Sequence, residues 1–397
     1  MAASPRFSVL IPTRERPGTF AAALDSVMSQ PFGDVEVVVM DNCSGPQTRA
    51  IVDQAREAAA GRPHTLRYHR SDRVLPMKDN WELGLSLCTG EYVFVLGDDD
   101  ALMPDGLVLA DQILSRLRFE LLHWDKFGYW WLDALDEQAR GRLLVHTNHE
   151  VQLLDCRQAL VDFYAWKTTY APLPCIYSSL VHRDVIARVK ALAGGKYFAA
   201  GSPDIFTGIA NAYVTPQAAY CRRGLSISGN SGQSTGSAHL HRSKGQARRD
   251  AFWKDEGVPQ PNALHPKLID CPNIELGVAD AQLWAKDVLF PSDDTLKVIP
   301  IQKLLAHMIA GVGRDPASYE DTAADIRALA AKYDINPASL TIPRPASQPR
   351  GALQGPVDSG IPGKPSIAVN CAQAGIRDAA AAARLAMGLL PAVSYAA

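Results

Sequence analysis

The chain has 397 residues, enough for two or three units with a sizeable core, and its hydrophobic fraction of 47% and charged fraction of 21% are those of an ordinary globular protein. A formal net charge of −2 offers no global attraction for polyanions, so no nucleic-acid partner is expected. The seven cysteines are odd in number and widely spaced, with no C-x-x-C, which argues against a disulfide framework or a structural zinc site and fits a reducing compartment.

In chain order, Phe7 to Ile11 is a short apolar run stopped by Pro12 and reads as a buried strand. Phe20, Leu24, Val27 and Met28 recur at helical spacing after Pro17-Gly18. Val35 to Met40 is a second strand ending in the turn-rich Asp41-Asn42-Cys43-Ser44-Gly45-Pro46, Ile51 opens a second helix, and Thr65 to His69 is a third strand. Trp81, Leu85 and Cys88 share one helical face, with Gly90 as the expected C′ residue. Tyr92 to Leu96 is a fourth strand, running into Gly97-Asp98-Asp99-Asp100. Four strand–helix alternations predict an α/β fold with a mainly parallel sheet and helices on both faces, whose ligands bind beyond the carboxyl ends of the strands. Pro12-Thr13-Arg14, Asp41-Asn42 and the Asp triplet all fall at such ends.

After Pro104 a helix to about Leu117 is expected, and then the rhythm changes. Strands are expected over Phe119 to Trp124, Tyr129 to Leu132, Leu143 to Val145 and Ile176 to Val181, with helices over Leu153 to Ala165 and Val185 to Leu192. Gly224 to Ser237 reads as a mobile loop, Ile301 to Ile309 and Tyr319 to Tyr333 as helices, and Pro343 to Pro365 as a linker. The Ala-rich end, Ala379 to Ala397, is interrupted by Arg384 and Pro391 and reads as a short helix packed on the domain or frayed, rather than a span of the roughly 20 residues a bilayer needs. Met1 to Pro12 has no long apolar stretch of the signal-peptide kind. The cytoplasm is the expected location, and peripheral membrane contact is not indicated.

Three adjacent carboxylates are costly to hold together: at 4 Å and an effective dielectric of about 20, each like-charged pair repels by about 4 kcal/mol. At a ligand-binding strand end, a divalent cation is the natural neutraliser, and oxygen ligands suit Mg2+ or Mn2+ with positions left for phosphate oxygens. The bland alternative is an acidic turn capping the next helix.

Gly90-Glu91-Tyr92-Val93-Phe94-Val95-Leu96-Gly97-Asp98-Asp99-Asp100, followed by Leu102-Met103-Pro104, resembles the G-E-Y-x-x-x-L-D-x-D-D-x-x-x-P segment of the inverting family-two glycosyltransferases. Ser8-Val9-Leu10-Ile11-Pro12-Thr13-Arg14-Glu15-Arg16 is similar to that family's S-V-I-I-P-T-Y-N-R, and Val37 to Ser44 to its I-V-V-D-D-G-S. The likeness runs over roughly residues 7–107 and is looser beyond 110. It implies a GT-A type, Rossmann-like fold with a mixed acceptor subdomain and a helical C-terminal region. It further implies a nucleotide-diphospho-sugar donor and a glycan, lipid-linked or small-molecule acceptor. By position, Pro12, Thr13 and Arg14 would line the nucleobase pocket, Asp41 would bond the base or ribose, and Asp98 would reach the ribose. Lys78 and Asn80 complete the donor set, while Asp99 and Asp100, with His239, would hold Mn2+ or Mg2+. Three positions depart from the pattern: Gly97 replaces the first Asp of the metal motif, Arg14 a Tyr, and Asn42 a second Asp.

The family places its catalytic base on an Asp entering a helix about a hundred residues after the metal motif. Gly201-Ser202-Pro203-Asp204-Ile205-Phe206 fits, with Asp204 as the base or simply the acid of that helix's first turn; Asp184 is the alternative. For His239 and His241 a contact to the diphosphate competes with a plain surface location, and Trp124, Tyr129, Trp130 and Trp131 form either an acceptor platform or core. A Rossmann dehydrogenase is set aside because no G-x-G-x-x-G follows the first strand. A sugar-phosphate nucleotidyltransferase and a non-catalytic nucleotide- or glycan-binding module remain as alternatives. The expected division is a donor-binding half (1–120), an acceptor-binding half (121–240), a helical extension (241–345), and a linker with tail (346–397).

Overall fold

The computed structural model describes residues 4–257, 264–345, 355–358 and 365–396. Its first part follows the periodicity closely: β1 (Phe7–Thr13), α1 (Pro17–Met28), β2 (Val35–Asp41), α2 (Pro46–Ala58), β3 (Thr65–Arg70), α3 (Met77–Leu87) and β4 (Tyr92–Val95). Pro17 and Pro46 start their helices at the first turn, where a missing N–H costs nothing. These strands are parallel in the order β4-β1-β2-β3. Every residue of β1 and β2 is buried because both sheet faces are covered. Leu10, Val38, Met40 and Val95 face one core with Trp81 and Leu85 of α3; Val9, Ile11, Val39 and Phe94 face the other with Phe20 and Leu24 of α1. The register sets Thr13 beside Asp41, so the ends of β1 and β2 stop level.

Beyond β4 come β5 (Ala101–Leu102), α4 (Gly106–Leu117), β6 (Leu121–Trp130), β7 (Arg142–His146), β8 (Val151–Asp155), α5 (Cys156–Tyr164), β9 (Ser179–His182), α6 (Arg183–Leu192), α7 (Pro203–Val214) and β10 (Gln217–Asn230). Then follow α8 (Thr235–Leu240), α9 (Gln246–Glu256), α10 (Ile274–Leu289), α11 (Ile301–Gly311), α12 (Tyr319–Lys332), β11 (Gly355–Asp358), β12 (Pro365–Asn370) and α13 (Ala379–Leu389). The sheet continues from β4 through β9, β6, β7 and β12 to β11, antiparallel throughout, with β10 parallel to β6 on its other side. It is an α/β architecture: a parallel N-terminal sheet with flanking helices, a mixed second half and a helical C-terminal region.

Several local expectations are corrected. The two strands expected on either side of residue 125 are one strand, β6, because Asp125 is satisfied inside the sheet by the Tyr220 hydroxyl (2.6 Å) and Arg222 (3.0 Å). The helix expected from Leu153 starts at Cys156, capped by the Asp155 carboxylate, with the preceding residues in β8. Gly90 is not a helix C′ residue; a Cβ there would lie 2.5 Å from the Ser8 amide nitrogen, so close strand approach is what requires it. The expected loop from Gly224 is strand β10 as far as Asn230, followed shortly by α8. Its glycines admit close neighbours: a Cβ on Gly224 would meet the Phe127 ring at 2.7 Å. The expected linker contains β11 and ends where β12 begins; the two strands extend the sheet past β7, and α13 packs its alanines on the core beside α1. The remainder of that expected linker, at 346–354 and 359–364, and residues 1–3 and 397 at the two ends lie outside the described residues.

Candidate active site

Beyond the level ends of β1 and β2 and the turn that follows β4 opens a cavity of about 770 Å³. Two turns at its floor hold non-glycine residues at positive φ, Glu15 (52°) and Cys43 (59°). The Glu15 turn is locked to the end of β2 by its N–H donating to Ser44 Oγ (2.9 Å) and its carboxylate accepting from Gly45 N–H (2.9 Å). Strain of this kind, about 1–3 kcal/mol, persists where the surroundings over-determine it. Here it sits between Arg14 and Arg16, both of which line the cavity.

The Asp triplet crosses from β4 to β5. Asp98 accepts from Thr13 Oγ1 (2.9 Å) and from the Arg16 guanidinium (2.9 Å). Burial works against the Arg16 charge, but Asp98 and Asp99 outweigh it and raise its pKa. Asp99 accepts from Ser231 Oγ (2.7 Å), and Asp100 from Gly229 N–H (2.7 Å). Burial, then Asp100 and Asp98 against the opposing Arg16, pushes Asp99 up to about 7. Asp100 is raised in the same direction, first by burial.

The facing wall is the start of α7, where Asp204 occupies the first turn after Ser202 and Pro203. Its carboxyl is ringed by protein yet reaches the cavity, and burial raises its pKa despite the Ile205 N–H and Lys126. Lys126 of β6 and Tyr177 stand between the two carboxylate groups, the ammonium 5.8 Å from the Tyr177 ring centre, and Trp81 packs edge-on against Tyr177 at 4.9 Å. A strap formed by α8 and α9 closes a third side. It is tied down by Arg16 to the Gln233 carbonyl, by Arg14 to Asp255 (3.0 Å), and by Met77 N–H to Glu256 (2.6 Å).

Of the residues expected at the site, Pro12, Thr13, Arg14, Asn80, Asp98, Asp99, Asp100, Asp204 and His239 line this one cavity. Asp41 and Lys78 do not. Asp41 is fully buried, its oxygens taken by Ser44 N–H (2.9 Å) and the Tyr68 hydroxyl (2.6 Å), so it organises the β2 end instead of facing a ligand. Asn42, its neighbour, does line the cavity and clamps Leu75 through both backbone groups at 2.8 Å. Asp184, the alternative base, lies outside the cavity with a side chain 71% exposed. Trp124, Tyr129 and Trp131 are core, and Trp130 stacks under Arg142 at 4.3 Å; none of the four lines the cavity. Sequence reasoning missed Arg16, Lys126, Tyr177 and Arg248. Only Arg16 had a signal, standing in the first-strand motif; Lys126 comes from β6, Tyr177 from the turn before β9 and Arg248 from α9, with no local pattern.

The oxygen donors at the triplet suit a hard dication. Asp99 and Asp100 each have one oxygen engaged by protein, and Asp99 is a carboxylate whose charge is poorly compensated. His239 Nδ1 donates to the Thr235 carbonyl (2.9 Å), which leaves Nε2 as a lone-pair donor. The residues therefore fit Mn2+ or Mg2+ chemically, although the three Asp side chains point to different partners. Among the described residues, the groups that converge at metal-binding separation are Glu120, His182 and Asp184, away from this cavity, and Glu120 is already held by both arms of Arg188 (3.0 and 2.8 Å).

The parallel sheet thus presents an acidic triplet at a strand end to a large cleft, faced by a carboxylate from the start of α7. Residues 8–110 match the family described as Glycosyl transferase family 2, and the chain carries that family's domain there. Over 133 residues it is 36% identical to a PGL/p-HBAD biosynthesis glycosyltransferase of Mycobacterium bovis, covering 30% of this chain and 50% of that one. Over 103 residues it is 30% identical to the GalNAc(5)-diNAcBac-PP-undecaprenol beta-1,3-glucosyltransferase of Campylobacter jejuni, covering 26% of this chain and 32% of the relative. The chain thus spans about half the length, or less, of these curated relatives. Among solved structures, the mannosyltransferase PcManGT from Pyrobaculum calidifontis, in complex with GDP-Man and Mn2+, aligns at a TM-score of 0.45 and 18% identity, over 83% of this chain and 87% of that one.

Proposed function

We propose that the protein is an inverting glycosyltransferase that moves a sugar from a nucleoside-diphosphate donor to an acceptor hydroxyl, with Asp204 as base. The observation that carries this reading is one cavity with two carboxylate groups on opposite walls: the triplet at the end of β4 and the half-buried Asp204 at the start of α7. Donor-side groups are Pro12, Thr13, Arg14, Asn80 and Asp98; Asn80 Oδ1 is buried without a protein partner, an acceptor waiting for a donor group. Asp99 and Asp100, with His239, would hold Mn2+ or Mg2+, which when bound would neutralise the diphosphate leaving group. Burial makes Asp204 a stronger base than a free carboxylate, suited to take the acceptor hydroxyl's proton as that oxygen attacks the anomeric carbon from the face opposite the diphosphate. Glycan, lipid-linked and small-molecule acceptors all offer such a hydroxyl, and the cytoplasm supplies nucleotide sugars. Among the described residues no helix is long and apolar enough to cross a membrane.

The test is a transfer assay with a panel of UDP-, GDP- and dTDP-sugars in Mn2+, with product configuration read by NMR. Asp204→Asn is expected to keep nucleotide affinity and slow transfer about 100- to 10,000-fold. A product of retained anomeric configuration, or near-parental turnover in this variant, would refute the mechanism. Nucleotidyl transfer instead of sugar transfer, or binding with no turnover, would return the protein to the alternative classes.

A further inference from the structure

Three guanidinium groups reach the donor end of the cavity from two separate parts of the fold. Arg14 and Arg16 flank the strained turn after β1, and Arg248 comes from α9 of the strap. Two carboxylates hold them in part: Asp98 binds Arg16 at 2.9 Å and Asp255 binds Arg14 at 3.0 Å. Arg14 Nη1 and Arg248 Nε nevertheless have no partner although both atoms are buried. A buried guanidinium N–H without an acceptor is uncommon in a folded protein, because it has lost its water and gained nothing in exchange. Two of them at one cavity, one from the turn after β1 and one from α9, mark the place of an anion.

We propose that Arg14, Arg16 and Arg248 form a clamp that binds the donor's diphosphate without a metal ion, between the end of β1 and the strap. The proposal rests on the donor reading of the cavity and adds a second source of diphosphate affinity to the acidic triplet. The planar fork of a guanidinium matches phosphate oxygens two at a time, and groups arriving from both sides suit two linked phosphates better than one. Burial, followed by the like charge of Arg16 and opposed by Asp98 and Asp255, pushes Arg248 down to about 10, and a bound dianion would add compensating charge. Because Arg16 also holds the Gln233 carbonyl at the start of the strap and Arg14 holds its far end at Asp255, an anion seated here engages both anchors of that segment.

Calorimetric titration of the full chain with inorganic pyrophosphate, in EDTA and at fixed ionic strength, tests this directly. Pyrophosphate is expected to bind in EDTA, at least 10-fold more tightly than orthophosphate. Arg248→Ala and Arg14→Gln should each weaken it at least 10-fold, with Arg248→Lys falling between parent and Ala. Circular dichroism establishes that each variant is folded, and if Arg248→Ala is not, Arg14→Gln and Arg248→Lys decide. Absence of pyrophosphate binding in EDTA, or unchanged affinity in the folded arginine variants, overturns the clamp. The readout needs no sugar transfer: a chain that binds pyrophosphate through Arg248 yet transfers nothing keeps the clamp and loses the glycosyltransferase reading.

Discussion

At Gly229 a Cβ would lie 1.7 Å from the Asp99 carbonyl oxygen, and the same residue's N–H donates to Asp100. Strand β10 therefore holds the triplet's backbone by an approach that only glycine permits. Gly229→Ala is expected to lower the thermal midpoint by several degrees and to remove transfer activity, checked by scanning fluorimetry beside the assay; a variant of parental stability and rate would show that β10 does not hold the triplet. His123 gives a pH signature of a different kind. Its ring is buried, with Nε2 3.0 Å from the Ala171 carbonyl and Nδ1 2.9 Å from the Ser178 carbonyl and 3.1 Å from Ser179 Oγ, so a neutral ring donates to only one of the two carbonyls. Burial pushes its pKa down from 6.5 to about 4. The unfolded chain therefore takes up this proton first as the pH falls. Stability contributed by the neutral ring is full above about 6.5 and is lost progressively towards about 4, by at most about 3 kcal/mol. Denaturant unfolding at pH 7 and pH 4.5 should show a smaller pH difference in His123→Gln than in the parent.

At the scale of elements, the donor-side strands and helices were legible because each carries its own period and its own stop: apolar runs closed by Pro12 and by the Asp41–Pro46 turn, helices opened by Pro17 and Pro46. The C-terminal elements were not. β12 is six residues of modest hydrophobicity that become a strand only by pairing with β7. Helix α13 is alanine-rich because small side chains let it pack closely beside Ala22, Met103 and Tyr129. Truncating the chain after residue 354 should uncover β7 and that core, lowering the thermal midpoint by at least about 5 °C and promoting association through the exposed strand edge. Scanning fluorimetry and light scattering would check both effects; an unchanged midpoint would mean that α13 contributes nothing to the core.

For the whole molecule, one cavity joins the parallel sheet, α7, the strap and the start of α10, so a ligand that fills it should stabilise all of them together. A cognate nucleotide sugar at about 100 times its dissociation constant should add about 2.7 kcal/mol, and a thermal-shift panel of nucleotide sugars would reveal it as the largest rise. A panel in which no nucleotide shifts the midpoint would count against a donor site here. From the sequence alone came the strand–helix order of the first hundred residues, the strand ends as the binding edge, the acidic triplet and the acid at the start of α7. Each of these is written within a few neighbouring residues, where periodicity and turn chemistry act. Tertiary structure alone decided that Asp41 is sealed beneath the site, that Trp124, Tyr129 and Trp131 are core, and that Arg14 and Arg16 meet Arg248 across the strap. Those outcomes turn on contacts between residues far apart in the chain, such as Arg14 with Asp255 and Gly229 with Asp100, and no local pattern records which distant surface a side chain will meet.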